Sequence, residues 1–212
     1  MSEHIVLLGD SIFDNSSYTK GQPDVVAHFR RLLPPGFVAT LLAVDGSRAA
    51  DLEDQLAVLP ANASRAVVSV GGNDALLNAD LLNLPVSSTK QALHLFGERA
   101  SKFERDYRAA ILGVRHRIPE LTVCTVYNGD LSAEQAPSAR VALMLFNDAI
   151  LRVAFELRLA IIDLRLVCAE RSDYANPIEP SGSGGAKIAR AIALSLGVVA
   201  GADSPSRVFA GY

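Results

Sequence analysis

The sequence predicts a three-layer α/β/α sandwich built on a five-stranded parallel sheet. Five short runs are almost continuously apolar, which is the pattern of strands buried on both faces. Segments of helical period lie between them, and strand–helix alternation packs as helices on both faces of a parallel sheet. The chain has 212 residues, 50% of them hydrophobic, enough for one sizeable core.

The first strand is read over residues 5–8, within "HIVLLG". A helix over 24–33 follows "QP", and the second strand covers 38–44. A helix over 47–59 opens on a serine cap and leads to the third strand, 66–70. The Leu-rich stretch 75–96 reads as a lid-like segment or a short core-packing helix. A long amphipathic helix is expected over 95–118, then a strand over 121–127 and a second long helix over 138–157. The fifth strand, 160–164, and a helix over 184–196 complete the core. Residues 1–200 form one expected domain, and 201–212, small and polar, a surface tail.

Net charge is −3, and the tight basic groups, Arg30–Arg31 and Arg115–His116–Arg117, are too small for a nucleic-acid footprint. Both suit helix C-termini, where the dipole favours positive charge. Cys124 and Cys168 stand in apolar surroundings and read as small buried residues, with no disulfide, metal or cofactor expected. No apolar run reaches the roughly 18 residues of a membrane span. The start of the chain carries no basic leader, so a cytoplasmic location is expected.

In parallel sheets, ligands bind beyond the carboxyl ends of the strands. The residues there are Gly9-Asp10-Ser11, Asp45-Gly46-Ser47, Gly71-Gly72-Asn73-Asp74 and Asn128-Gly129-Asp130, with Asn176 to Ser181 before the last helix. Acyl transfer needs a nucleophilic oxygen, donors for the oxyanion and a base. Ser11 offers the oxygen. The backbone N–H groups of Ser11 and Gly46 and the amide of Asn73 offer donors. Asp10 and Asp74 suit bonds to loop amides.

"GDS" after the first strand, a Gly after the second and "GGND" after the third resemble the SGNH (GDSL-type) hydrolases. The resemblance runs in order along nearly the whole chain. It implies a flavodoxin-like fold and metal-free esterase, lipase, deacetylase or thioesterase activity on a small ester or acylated molecule. Ser11 is then the nucleophile, and Gly46 and Asn73 complete the oxyanion hole. The final block departs from the family: where Asp-x-x-His is expected, the chain reads Asn176-x-x-Glu179. Glutamate, with an ordinary pKa of about 4.3, is a poorer base than histidine at about 6.5 unless burial raises it. An amide at Asn176 avoids repelling that carboxylate and can donate to it.

His94 is the histidine best placed to replace the missing base, since His4, His28 and His116 fall at the wrong edge or on helix surfaces. Asp173 is a spare carboxylate, ranked below Glu179. Each residue also has an ordinary structural reading: Ser11 and Gly46 as turn residues, Asn73 as a helix cap, Glu179 at a helix N-terminus. Two functions besides hydrolysis follow. One is a non-catalytic protein that binds an acylated or carbohydrate ligand. The other is an anion binder using "DSIFDNSSYT", opposed by the charges of Asp10 and Asp14.

Overall fold

The computed structural model describes residues 3–201 and residue 208. Five strands, β1 (Glu3–Gly9), β2 (Phe37–Leu41), β3 (Arg65–Ser69), β4 (Glu120–Cys124) and β5 (Ala160–Ile162), form one sheet. All neighbours are parallel, in the order β2-β1-β3-β4-β5. The strand direction of travel reverses at β1, so a crevice opens between the carboxyl ends of β1 and β3.

Successive side chains of a strand point to opposite faces, and β1 divides accordingly. Val6 and Leu8 pack against α2 (Leu52–Ala57), α4 (Thr89–Arg117) and α5 (Ala136–Glu156) through Leu52, Phe103, Tyr107, Ile111 and Ile150. Ile5 and Leu7 pack the other way, against α1 (Val25–Leu32), α6 (Leu164–Val167) and α7 (Gly182–Ser195) through Val25, Phe29, Leu164 and Ile188. The three-layer sandwich expected from the alternation is thus the architecture observed.

Helices α1, α4 and α7 start on side-chain caps. Asp24 accepts from the Ala27 N–H at 2.7 Å, Ser88 from that of Gln91 at 3.1 Å and Ser181 from that of Gly184 at 3.1 Å. Ser88 explains why α4 begins at residue 89 and not 95: its cap lies in the polar run "PVSSTK", which carries no apolar period. Arg30 and Arg31 close α1, and Arg115 to Arg117 close α4, at the dipole-favoured end.

Several boundaries differ from expectation. Regular pairing of β2 ends at Leu41, because the N–H groups of Leu42 and Ala43 both donate to the Leu7 carbonyl. Strand β4 ends at Cys124: the Thr125 N–H still donates to the Ile162 carbonyl, and the Asn147 side chain then takes both backbone groups of Val126. The expected helix over 47–59 is a 3₁₀ turn, Ala49–Asp51, followed by the shorter α2. The short helix α6 carried no sequence signal, while the expected segment 75–96 divides among the end of α3 (Gly72–Leu77), a 3₁₀ turn, Ala79–Asn83, and the start of α4. The expected tail falls almost wholly outside the described residues. Among the described residues no helix is long and apolar enough to cross a membrane.

Candidate active site

The loop after β1 presents Ser11 at the crevice, and Gly9 sets its direction. Gly9 has φ +134, and a Cβ placed there would lie 1.8 Å from the Ser69 carbonyl oxygen. Only glycine lets β1 and β3 stay this close while the chain turns outward. The buried side chain of Gln55, from α2, holds the same residue. Its Oε1 accepts from the Gly9 N–H at 2.8 Å, and its Nε2 donates to the Gly9 carbonyl at 2.8 Å. That Nε2 also reaches the Ser47 hydroxyl at 3.2 Å. Ser47 in turn accepts, through its carbonyl, a 2.9 Å bond from Asn73 Nδ2. One buried network therefore ties the ends of β1 and β2 to the first turn of α3.

On the far side, Glu179 arrives on the loop before α7. Ser11 Oγ donates to Glu179 Oε1 at 3.1 Å, and both residues are buried. This distance lies within the reach that proton transfer requires. Burial raises the Glu179 carboxyl to about 7; the Ser11 bond opposes the rise and the nearby Asp45 charge adds to it. The second oxygen, Oε2, is enclosed and makes no hydrogen bond among the described residues. An enclosed oxygen without a donor makes the charged form costly.

Asn176 acts differently from expectation. Its side chain is exposed, and its Oδ1 accepts from the backbone N–H groups of Ile178 and Glu179, both at 2.9 Å. It shapes the turn that delivers Glu179; the bonds it makes go to backbone, not to the Glu179 carboxylate. Tyr127 holds the same turn from below, donating to the Ile178 carbonyl at 2.6 Å.

Asp10 is buried beside Ser11, and its Oδ1 accepts from the Ile12 N–H at 3.1 Å. Desolvation raises its carboxyl to about 8, against the pull of the Ile12 bond; the Glu179 and Asp74 charges add to the rise. Asp74 accepts from the Ala49 N–H at 3.0 Å, and burial raises its carboxyl as well.

Ser11, Asn73 and Glu179 line one cavity of about 150 Å³, together with Asp10 and Tyr127. The Ser11 N–H makes no hydrogen bond among the described residues, and Asn73 Nδ2 retains a second hydrogen beyond the one given to Ser47. Gly46 lies in the exposed turn after β2, with φ +83, and does not line that cavity. Nor does Asn176.

The other candidate bases stand elsewhere. His94 is exposed on α4, with Nε2 3.4 Å from Glu98. His4 binds Asn62 and Thr40 at the amino end of β1. Asp173 is fully buried, 2.7 Å from Lys187 Nζ, and accepts from the Glu170 N–H, so it anchors the loop to α7. Among the described residues, no group of three or more His, Cys, Asp or Glu is placed to hold a metal ion.

Three functional residues went unread in the sequence. Gln55 and Asn147 are buried amides on otherwise apolar helix faces; Asn147 clamps both backbone groups of Val126, at 2.8 and 2.9 Å. Tyr127 reads as the end of a strand. An amide at a core position of a helical pattern was the available signal for the first two.

The family model of GDSL-like lipases and acylhydrolases matches residues 7–184. Among solved structures, the acetylxylan esterase Axe2 from Geobacillus stearothermophilus is similar at TM-score 0.68 and 18% identity, over 92% of this chain and 94% of that one. An extracellular lipase from Streptomyces rimosus is similar at TM-score 0.66 and 15% identity, over 90% and 98%. Phospholipase A1 from Streptomyces albidoflavus NA297 follows at TM-score 0.64 and 15% identity, over 91% and 98%. No curated protein sequence matches. With the family pattern spanning most of its length and the same fold in each of these enzymes, the chain belongs to the GDSL-like lipase/acylhydrolase family.

Proposed function

We propose that the protein is a serine hydrolase of small carboxylic esters or acyl groups, working through an acyl-enzyme on Ser11 with Glu179 as the base. The observation that carries this reading is the buried 3.1 Å bond from Ser11 Oγ to Glu179 Oε1, with the carboxyl raised to about 7. Ser11 Oγ attacks the acyl carbon while its proton passes to the Glu179 carboxylate. The oxyanion is met by the Ser11 N–H and Asn73 Nδ2. Collapse breaks the bond to the alcohol oxygen, which leaves with the proton from Glu179. Water then attacks the acyl-serine, gives its proton to Glu179, and the carboxylic acid departs as that proton returns to Ser11 Oγ. Asp10, neutral below about pH 8, leaves Glu179 as the charged partner of the serine. A phosphonate ester probe is expected to label Ser11. Turnover should rise through about pH 7 as Glu179 ionises, falling tenfold per pH unit below it. Failure to label Ser11, with no ester turnover from pH 4 to 9, would remove the reading.

One observation favours the second function, ligand binding with little catalysis: Asn176 does not bond the Glu179 carboxylate, so no third side chain orients the base as a serine–base pair needs. The paired change Glu179→His with Asn176→Asp separates the two. Strong gain of ester hydrolysis over wild type supports the binding function; equal or lower turnover supports the hydrolase.

A further inference from the structure

We propose that the cavity beside Ser11 holds the acyl half of the substrate, and that this acyl group is uncharged and of about six carbons. The inference rests on the hydrolase reading for its chemistry, but its pocket stands on separate observations.

The cavity measures about 150 Å³ and runs from Ser11 between α3, α4 and α5. Its wall is built from Ala75, Leu82, Phe96, Ala142, Leu143 and Phe146. A cavity of that volume has room for a six-carbon ring, which sets the size at about six carbons. A sugar would set most of its hydroxyls against these aliphatic and aromatic walls without partners, the amides of Asn78 and Asn128 being too few to meet them. The acids of the lining are Asp10 and Glu179, and Glu179, ionised for its work as the base, repels a carboxylate-bearing acyl group as well.

Proton transfer fixes which half of the ester enters. Glu179 must hand its proton to the leaving oxygen, so the alcohol departs at the end of the cavity lined by Ile178 and Glu179, where Ile178 is exposed. The carbonyl oxygen turns toward Asn73, which stands in the first turn of α3. The apolar wall continues from Asn73 along that same helix to Ala75 and then Leu82. The acyl chain follows it inward.

Two isomers of equal composition and near-equal hydrophobicity test the assignment: methyl hexanoate and pentyl acetate. Each buried methylene strengthens binding about four-fold, so four more in the acyl chain favour methyl hexanoate on the order of 10²-fold in kcat/KM. The variant Ala79→Phe, on an exposed 3₁₀ turn that tolerates bulk, fills the chamber and should cut the hexanoyl-to-acetyl ratio at least ten-fold. Ala142→Phe, on α5, should do the same. Met144→Ala, on the outer face of α5, should leave the ratio where it was. A ratio near one in wild type, or one that Ala79→Phe and Ala142→Phe both leave intact, overturns the proposal.

A readout independent of turnover keeps the two readings apart. Hexanamide should raise the melting temperature of the wild type, and acetamide should not. If neither ester is hydrolysed but hexanamide binds, the chamber stands and the hydrolase reading falls. If esters are hydrolysed but the two amides behave alike, the hydrolase stands and the six-carbon chamber falls.

Discussion

Replacing Asp10 with Asn tests the electrostatics of the crevice directly. Asp10 is 2% exposed, and burial moves its carboxyl from 3.8 to about 8. In the unfolded chain it ionises near pH 4; in the folded protein it holds its proton until about pH 8. A group whose folded pKa is raised contributes stability fully below the unfolded value and loses it as pH rises to the folded one. The window is therefore about pH 4 to 8. Across it, wild type loses about 1.4 kcal/mol per pH unit through this residue, roughly 3 kcal/mol by pH 6 and 5 kcal/mol by pH 8. Asparagine has the shape of the protonated acid, and its Oδ1 can still accept from the Ile12 N–H. Asp10→Asn should therefore be the more stable protein at pH 8 by several kcal/mol, on the order of the figure above, with the gap closing toward pH 4. Guanidinium denaturation of both proteins at pH 5, 6, 7 and 8 measures it. A stability difference that stays constant over those four values would mean that Asp10 is ionised in the fold, and the account of the crevice would be wrong.

Other expectations follow from single contacts. Removing Gln55 with alanine leaves the Gly9 N–H without its acceptor and opens a hole in the core; about 3 kcal/mol of stability should be lost, read as a lower denaturation midpoint. Gly9→Ala sets a methyl 1.8 Å from a carbonyl oxygen at a left-handed φ, and should cost more than about 4 kcal/mol, seen as loss of soluble folded protein or a collapsed melting temperature. On the proposed oxyanion role of its amide, Asn73→Ala should lower kcat by on the order of 10²-fold with little change in KM. Steady-state kinetics that instead show a pure KM effect would place Asn73 in substrate binding.

Most of the fold was legible because the strands are buried on both faces. Residues 5–8 and 66–70 must be apolar throughout, and five such runs with helices between them leave one class of packing. What was hidden lies where side chains replace the regular ladder. Nothing in "VYN" announces that β4 stops at Cys124 while Asn147 carries the bonding onward. Ser88 capped α4 within a polar run, so no periodicity marked the start. Of the site, Ser11 and Asn73 were readable from their positions after strands and Glu179 from the family resemblance of the block before the last helix, and the three share a cavity. The behaviour of Asn176 was not readable. Whether its amide faces a carboxylate or its carbonyl caps a turn depends on the path of Pro177 and Ile178, which the residue types leave open.

The Gln55 clamp has a consequence for how this scaffold can change. A glutamine amide offers a carbonyl and an N–H side by side, the same pair that a neighbouring peptide would present. At the tip of β1 it imitates one residue of an extra strand, supplied from a helix. The peptide just before Ser11 is thereby locked by the layer beneath it, so the exposed positions Ser16, Ser17 and Lys20 of the loop beyond can be resequenced without shifting the serine, whereas Phe13 and Asn15 are buried and Asn15 ties that loop to Pro180 and Val25. Redesign of the rim for new substrates should begin there, with position 55 left untouched.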